Sequence, residues 1–573
     1  MIKDFSLLKT ILSIKEYRFL YILFFLMLIA SLIETFSIGL LIPIISFFIK
    51  PDQSNKFYEM VYNFYSQFQL LSPILTIMIT LLIVYLIRFI YLLYFAKVQG
   101  KYVLNLKASI SKNLFEEYLL KPYTFHTKNN SSFLIRNVET EVGVLVNNFV
   151  QPFLVFSLNI LNVFFITSLL LFYNFASTIN IIITFSLVAI ILNRIFKKKL
   201  TQIGKDRAYH VRFNLQHLRQ GFGSIKEIKL LGIEDYFINK YNFHNFALAH
   251  LGLIRLIIGA LPRLTFEYLF LILIFFLILF TEIKNESFQS LLPILIIYAL
   301  AAFRLMPALN AISLSYQQMK YGVPSLEIVA KQFQLKEKKE LLNKVYSKFN
   351  FYKEISLDTI CFRYLEKNKK VLDNISFSII KNEITGIIGS NGSGKSTLVN
   401  LICGLSEPTS GKIEVDGKNI HENLRGWQRL IGYVPQTVYL SDDTLLSNIA
   451  IGIDKSKINQ SSLNRAIKLA QLDEMISELP EGLETKMGEQ GKNISGGQKQ
   501  KIGIARAIYR DPEILILDEA TSSMDLNSEQ SFMEEINKLA SNKTIIMISH
   551  RQSPLKYCKK IYKINNQKIF LEK

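Results

Sequence analysis

Cysteine is almost missing from this chain: there are three, Cys361, Cys403 and Cys558, all in the C-terminal half. So sparse a set excludes a disulfide framework and fits a reducing compartment. Nor is a cleavable signal peptide expected, because the first apolar run is far too long for a signal h-region and has no small-residue cleavage site. The chain is expected to insert directly through its first span. Acidic residues are under-supplied, 46 Asp and Glu against 66 Lys and Arg, a net charge of +20. In a soluble protein that surplus would raise nucleic acid as a partner, but its location argues otherwise.

The loop from Arg194 to Arg255 holds twelve Lys or Arg against four acids, whereas the segments Asp52 to Ser72 and Glu282 to Ser290 are each slightly acidic. This is the positive-inside bias, and it puts the N-terminus in the cytoplasm. An apolar content of 50% with 12% aromatics also points away from an ordinary soluble protein. The apolar residues crowd into residues 19–315, and from about 326 onward charges are spaced as in a soluble domain. The expected organisation is a membrane domain over 1–325, a Lys- and Glu-rich linker over 326–350 and a cytosolic domain over 351–573.

Six runs of spanning length lie at about 19–49, 71–96, 146–173, 177–196, 255–281 and 288–316. Several are longer than a bilayer requires, so they are expected to tilt or to project into the cytoplasm. Only Asn174, Phe175 and Ala176 separate the third and fourth runs. That short outer hairpin makes 97–145 and 197–254 cytoplasmic, and within them 121–132 and 230–237 are polar breaks, read either as short helices touching another domain or as solvated loops. FYEMVYNFYSQF at 57–68 repeats its aromatics at helical spacing. It reads as an outer interfacial helix or as plain membrane anchors.

After the linker, strand-length apolar runs alternate with helical patterns, which predicts an α/β domain with a largely parallel sheet. GSNGSGKST, Gly389 to Thr397, follows the strand-like ITGIIG and precedes a helical pattern, the setting that a P-loop requires. Gly389, Gly392 and Gly394 let backbone N–H groups in the loop, Ser390, Asn391 and Ser393 included, turn toward phosphates at a helix N-terminus. Lys395 adds a point charge for the β- and γ-phosphates, Ser396 offers an oxygen to Mg²⁺, and Thr397 is a further hydroxyl donor. ILILDEA at 514–520 is an apolar strand ending in two carboxylates. Asp518 can hold Mg²⁺ through its water shell, and Glu519 is placed to polarise an attacking water at the γ-phosphate of ATP.

These motifs fall in a known order. NISGGQKQK, Asn493 to Lys501, resembles the signature of ATP-binding cassette proteins, with Ile494 where that family usually has Leu. Around it stand Tyr364, Gln436 in YVPQ, SSMD ending at Asp525, and His550 in ISHR; TKMGEQG at 485–491 resembles the extra loop of exporters, with Glu489 at its acidic position. Ser523 and Met524 are conservative departures, and Tyr364 taken alone would read as packing. The resemblance implies an exporter-type fold: an α-helical transmembrane domain of six spans, then an α/β P-loop nucleotide-binding domain. It also implies that Tyr364 stacks on adenine, that Gln436 senses Mg²⁺ and γ-phosphate, and that His550 contacts the γ-phosphate. Ser495, Gly496, Gly497 and Gln498 would close over the ATP of a second cassette, and Asp525 would belong to the same nucleotide site. One cassette and six spans are half of such a machine. A homodimer is therefore implied, with 121–132 and 230–237 as coupling segments.

Cargo must be read from the membrane half. Arg88, Arg263 and Arg304 each interrupt a span, and at ~1.5 Å per residue from outer ends set at Leu71, Phe280 and Phe288 all three fall at roughly the same depth, toward the cytoplasmic leaflet. Either each one snorkels or pairs with an acid such as Glu34 or Glu267, or the three form a ring that captures an anionic head group. Three cations against two acids leave one positive charge per chain, and guanidinium forks suit a pyrophosphate. ETFSIGLLIP at 34–43, PRLTFE at 262–267 and FRLMPALNAISLSY at 303–316 resemble the bacterial lipid-linked oligosaccharide flippases of protein N-glycosylation. That resemblance implies ATP-driven flipping of a polyprenyl-pyrophosphate oligosaccharide across the inner membrane, cytoplasmic to periplasmic face. The other cargo readings are lipid A, another polysaccharide intermediate, a peptide or a drug. A reading from another class, a cassette ATPase on nucleic acid or ribosomes, is opposed by the six spans.

Overall fold

The apolar runs fold as helices that outlast their hydropathy. A computed structural model of the chain describes residues 2–40, 63, 73–173, 175–283, 288–334, 349–364, 370–492 and 494–573. The chain divides into two compact units, Met1–Lys121 with His126–Lys339, and Pro122–Phe125 with Glu340–Lys573.

In the first unit a short helix α1 (Ile2–Ile11) leads into α2 (Ile14–Gly39) and α3 (Pro73–Leu119). After the short α4 (Tyr123–Lys128), whose first three residues belong to the second unit, comes a continuous helical run, α5, built from Ser131–Arg136, a π-helical turn Asn137–Glu141, Val142–Leu145, a second π-helical turn Val146–Val150, and Gln151–Tyr173. Then follow α6 (Phe175–Gly223), α7 (Ile225–Leu231), α8 (Glu234–Ile283) and α9 (Phe288–Gln334). Among the described residues four segments are long and apolar enough to cross a membrane, Ile14–Ser37, Met78–Leu119, Ser131–Leu171 and Glu234–Phe276. With α6 and α9 they make six long helices.

The 47 residues of α3 run roughly 70 Å at ~1.5 Å per residue, more than twice the hydrocarbon thickness. Its first half exposes Leu82, Leu86, Phe89, Ile90 and Leu93, a surface that water would penalise and lipid accepts. Hydropathy therefore located the apolar segments but stopped short of the polar helix beyond them. Where lipid no longer covers the helices, ionic contacts tie them together. Glu141, wholly buried in the first π-helical turn, accepts from Arg207 Nη2 of α6 at 2.7 Å and from the Ser325 hydroxyl of α9 at 2.6 Å, with Arg136 Nε at 3.7 Å.

Two expectations change in detail, and one holds. The break expected at 230–237 is narrower: Gly232 turns the chain in the left-handed region at φ +62°, the short helix lies before it as α7, and Glu234 already opens α8. In 121–132 the helical reading holds for Tyr123–Lys128. Residues 326–334, assigned to the linker on their charge, continue α9, with Leu326, Val329 and Ala330 buried, because those apolar residues keep a helical spacing between the charges. The aromatic segment 57–68, apart from a helical residue at 63, and the linker from 335 to 348 lie outside the described residues.

The second unit contains two sheets. Strands β1 (Glu354–Phe362), β2 (Leu372–Ile380), β4 (Ser410–Val415) and β5 (Lys418–Asn419) pair antiparallel in the order β2-β1-β4-β5, a sheet that the expected largely parallel one did not include. The larger sheet takes β3 (Ile384–Gly389), β6 (Ile431–Val434), β7 (Ile514–Asp518), β8 (Thr544–Ile548), β9 (Lys560–Asn565) and β10 (Lys568–Leu571) in the order β10-β9-β3-β8-β7-β6. All its pairs are parallel except β9 with β10. Every residue of β7 and β8 is buried, which accounts for their unbroken apolar runs. The carboxyl ends of β3, β7 and β8 share one edge of this sheet, the crevice where open α/β sheets place their chemistry.

Candidate functional site

At the end of β3 the chain enters the loop Ser390–Gly394 and then helix α10 (Lys395–Ile402). Gly394, the N-cap, sits at φ +108°, and a Cβ there would meet Leu372 Cδ2 at 2.9 Å, so the tight entry into the helix needs glycine. Lys395 curls over the loop, its Nζ donating to the carbonyls of Gly389 at 2.7 Å and Ser390 at 3.1 Å. Ser390, Asn391, Gly392 and Ser396 are exposed, and among the described residues the buried Ser393 hydroxyl has no hydrogen-bond partner. Tyr364 packs edge-on against Phe362, and its hydroxyl lies 3.1 Å from Thr397 Oγ1. This contact brings the aromatic residue to the loop that sequence order alone associated with it.

Asp518 and Glu519 close β7 side by side in very different settings. Asp518 is buried and accepts from the Tyr433 hydroxyl at 3.2 Å. Burial pushes its carboxyl above the usual range; the Glu519 carboxylate pushes the same way, while the Tyr433 hydrogen bond and Lys395 oppose it. Burial likewise raises Tyr433, which also faces the Asp518 charge. Glu519 stands at φ +51°, held by its own N–H donating to the Ile548 carbonyl at 3.0 Å. Its Oε2 accepts from Gln436 Nε2 at 2.7 Å, and its Oε1 lies 3.5 Å from His550 Nδ1. Side chains from two other motifs, Gln436 and His550, thus meet on the Glu519 carboxylate.

Residues around Asp518 suit Mg²⁺. A buried carboxylate held above its usual range next to Lys395 of the phosphate loop, a loop that also exposes the Ser396 hydroxyl, offers the oxygen donors that a hard dication prefers. Asp518, Ser396 and Gln436 would hold the ion, and it would supply positive charge to the phosphate oxygens.

The signature residues do other work within this chain. Ser495 caps helix α11 (Gly496–Tyr509), accepting from Gln498 N–H at 3.2 Å, while the Gln498 side chain accepts from Ser495 N–H at 2.9 Å. This reciprocal box makes the start of α11 rigid and leaves Ser495 and Gly496 exposed. No hydrogen bond joins Ser495–Gln498 to the phosphate loop among the described residues. Asp525 caps α12 (Leu526–Leu539) by accepting from Ser528 N–H at 2.9 Å, and those backbone donors hold its carboxyl below the usual range. Asn493 and the Glu489 side chain lie outside the described residues.

In the membrane half Arg88 Nη2 donates to Glu34 Oε1 at 2.9 Å, and Asn162 Nδ2 donates to the other oxygen at 2.8 Å, joining α3, α2 and α5. Arg263 Nε reaches Glu267 Oε1 at 2.8 Å along one face of α8. Both arginines thus have the carboxylate partners that the pairing alternative names. Arg304 falls within α9, and its side chain lies outside the described residues.

Several residues in these contacts were not read from the sequence. Tyr433 stands three residues before Gln436 within the same quoted motif, and Gln500 lies inside the signature itself; both had a signal in their position. Glu529 had none. It is a buried carboxylate that accepts from Thr521 at 2.8 Å and Ser553 at 3.0 Å, with Arg551 Nη1 at 3.7 Å, and so braces the segment after Glu519.

Residues 372–522 match the family described as ABC transporter, and residues 20–257 match the ABC transporter transmembrane region. A protein of Ralstonia nicotianae named ATP-dependent lipid A-core flippase is 27% identical over 474 residues, 82% of this chain and 79% of that protein. Its namesake in Vibrio vulnificus is 34% identical over 270 residues, 47% of this chain and 46% of that one. Among solved structures, "Structure of a bacterial Atm1-family ABC exporter with ATP bound" superposes with a TM-score of 0.78 at 19% identity, covering 98% of this chain and 94% of that one. That likeness is one of fold.

Proposed function

Because the chain belongs to the ABC transporters, a multi-pass half-transporter of the exporter type whose cytoplasmic ATPase drives transport, we propose that it carries a phosphorylated glycolipid outward across the bacterial inner membrane as a homodimer. A lipid A-core type cargo is the first reading. The observation that carries it is the match to lipid A-core flippases along 82% of the chain, membrane half included. The second reading, a polyprenyl-pyrophosphate oligosaccharide for protein glycosylation, draws on the arginines at a common depth. Arg88 and Arg263 are charge-paired with Glu34 and Glu267, so the pyrophosphate reading falls on Arg304. Both cargoes combine an acyl or prenyl tail with a phosphate-bearing sugar head.

The proposed ATPase roles follow the contacts. Tyr364 lies against the adenine and the loop 389–397 wraps the phosphates. Glu519 takes a proton from the attacking water, and Gln436 and His550, both on that carboxylate, fix its orientation and report γ-phosphate. In the dimer, Ser495, Gly496, Gly497 and Gln498 of one copy complete the ATP site of the other, with Asp525 at the junction.

Mass spectrometry of lipids that co-purify with the detergent-solubilised protein separates the readings. Multiply acylated phosphorylated glucosamine lipids support the first, and long isoprenoid pyrophosphates the second. Bulk phospholipid alone, unchanged by Arg304→Ala, counts against both.

A further inference from the structure

We propose that Gln500 is a positioning residue that wires the signature helix to the water-polarising carboxylate of its own cassette, so that ATP gripped at one composite site readies the other. The proposal rests on the homodimer reading above. Gln500 lies on α11 at 3% exposure, with every polar atom committed. Its Nε2 donates to the Glu519 carbonyl at 3.3 Å and to Ser522 Oγ at 3.1 Å, and its Oε1 accepts from Ser523 N–H at 3.1 Å. A single amide therefore fixes both the backbone of Glu519 and the two residues that lead to Asp525.

The hold has a purpose at Glu519, whose φ of +51° is a conformation that L-residues seldom adopt without restraint. Its N–H is anchored on β8 and its carbonyl on Gln500. Gln500 stands five residues after Ser495, about 7.5 Å along the helix, and the capping box makes Ser495 and Gln498 part of the same rigid turn. Any displacement of Ser495 by a nucleotide therefore reaches Gln500 without an intervening loop. The far end of α11 holds the other support of Glu519. Arg506 donates from Nε to the Asn448 carbonyl at 2.8 Å and from Nη1 to the Tyr439 carbonyl at 3.0 Å, three residues past Gln436. One helix thus grips both segments that set the position of the carboxylate.

The test uses the full-length protein in lipid nanodiscs, with steady-state ATPase measured against ATP concentration for the wild type, Gln500→Met, Ser522→Ala and Thr521→Ala. Gln500→Met keeps length and volume but loses all three hydrogen bonds. Ser522→Ala removes one of them. Thr521→Ala loosens the same loop at Glu529 without touching Gln500. The wild type is expected to show a Hill coefficient above 1. Gln500→Met should bring it to about 1 and lower kcat about tenfold, with KM for ATP within about twofold and the melting temperature kept. Ser522→Ala should fall between them, and Thr521→Ala should keep the wild-type Hill coefficient. An unchanged Hill coefficient and kcat in Gln500→Met, or an equal loss in Thr521→Ala, overturns the proposal. A wild-type Hill coefficient of 1 with ATP-driven lipid transport intact also overturns it and leaves the transport reading standing. A wild type that hydrolyses ATP equally well as a monomer removes the dimer reading beneath both.

Discussion

Replacing Glu519 by Gln tests the ATPase assignment with little structural disturbance. The carboxylate is 12% exposed, accepts one short hydrogen bond from Gln436 and faces His550. In the variant the Gln436 amide can turn over and accept instead, so the exchange of a charge-assisted bond for a neutral one should cost only ~1 kcal/mol of stability. The chemistry suffers far more. A positioned general base contributes about 10²–10⁴-fold, or ~3–5 kcal/mol of barrier, and a carboxamide cannot take the water's proton. Steady-state phosphate release should therefore drop by about two to four orders of magnitude, while ATP still binds and is retained as unhydrolysed nucleotide after rapid gel filtration. A turnover rate within about twofold of the wild type would refute the assignment, and so would loss of ATP binding.

Other outcomes follow from the same contacts. Gly394→Ala forces an L-residue to φ +108° against Leu372, a cost above the ~1–2 kcal/mol of the left-handed region; it should lower thermal stability and abolish the ATP-induced rise in melting temperature. Glu141→Ala leaves Arg136 and Arg207 as buried cations beside Ser325 and should destabilise the detergent-solubilised protein by ~3–5 kcal/mol, read by denaturant or thermal unfolding. Asp518 binds its proton more tightly folded than unfolded, since burial raises it. The nucleotide-free protein should therefore lose stability as pH rises from the ordinary carboxyl value through the raised one, and Asp518→Asn should flatten that slope while removing the Mg²⁺ dependence of ATP binding.

The legible parts of this molecule are those in which one residue type has one physical use. A glycine-rich loop between a buried strand and a helix has little other meaning, and Asp518 and Glu519 after the apolar residues 514–517 of β7 mark a carboxylate pair at the sheet's edge. The six long helices were visible because lipid demands unbroken apolar length. Their ends were not visible, because beyond the bilayer α3 and α9 continue as helices whose interspersed polar and charged residues hydropathy does not separate from loop. Contacts between distant segments were also hidden. That Glu34 would meet Arg88 across 54 positions, or that Glu529 would brace the segment after Glu519, depends on packing that no local pattern encodes. Depth counting suggested an arginine ring; the carboxylates standing beside Arg88 and Arg263 could be named from sequence, but only three-dimensional proximity reveals that they are used.

The most direct measurement is ATP-dependent movement of labelled lipid in proteoliposomes, with a lipid A-core glycolipid, a polyprenyl-pyrophosphate oligosaccharide and a neutral glycolipid offered in parallel to the wild type, Glu519→Gln and Arg304→Ala. The wild type should move a phosphorylated glycolipid to the face opposite its cassettes only with ATP and Mg²⁺, Glu519→Gln should move none, and Arg304→Ala should slow the pyrophosphate lipid most. Equal movement of all three lipids, or movement that does not depend on ATP, would contradict the account.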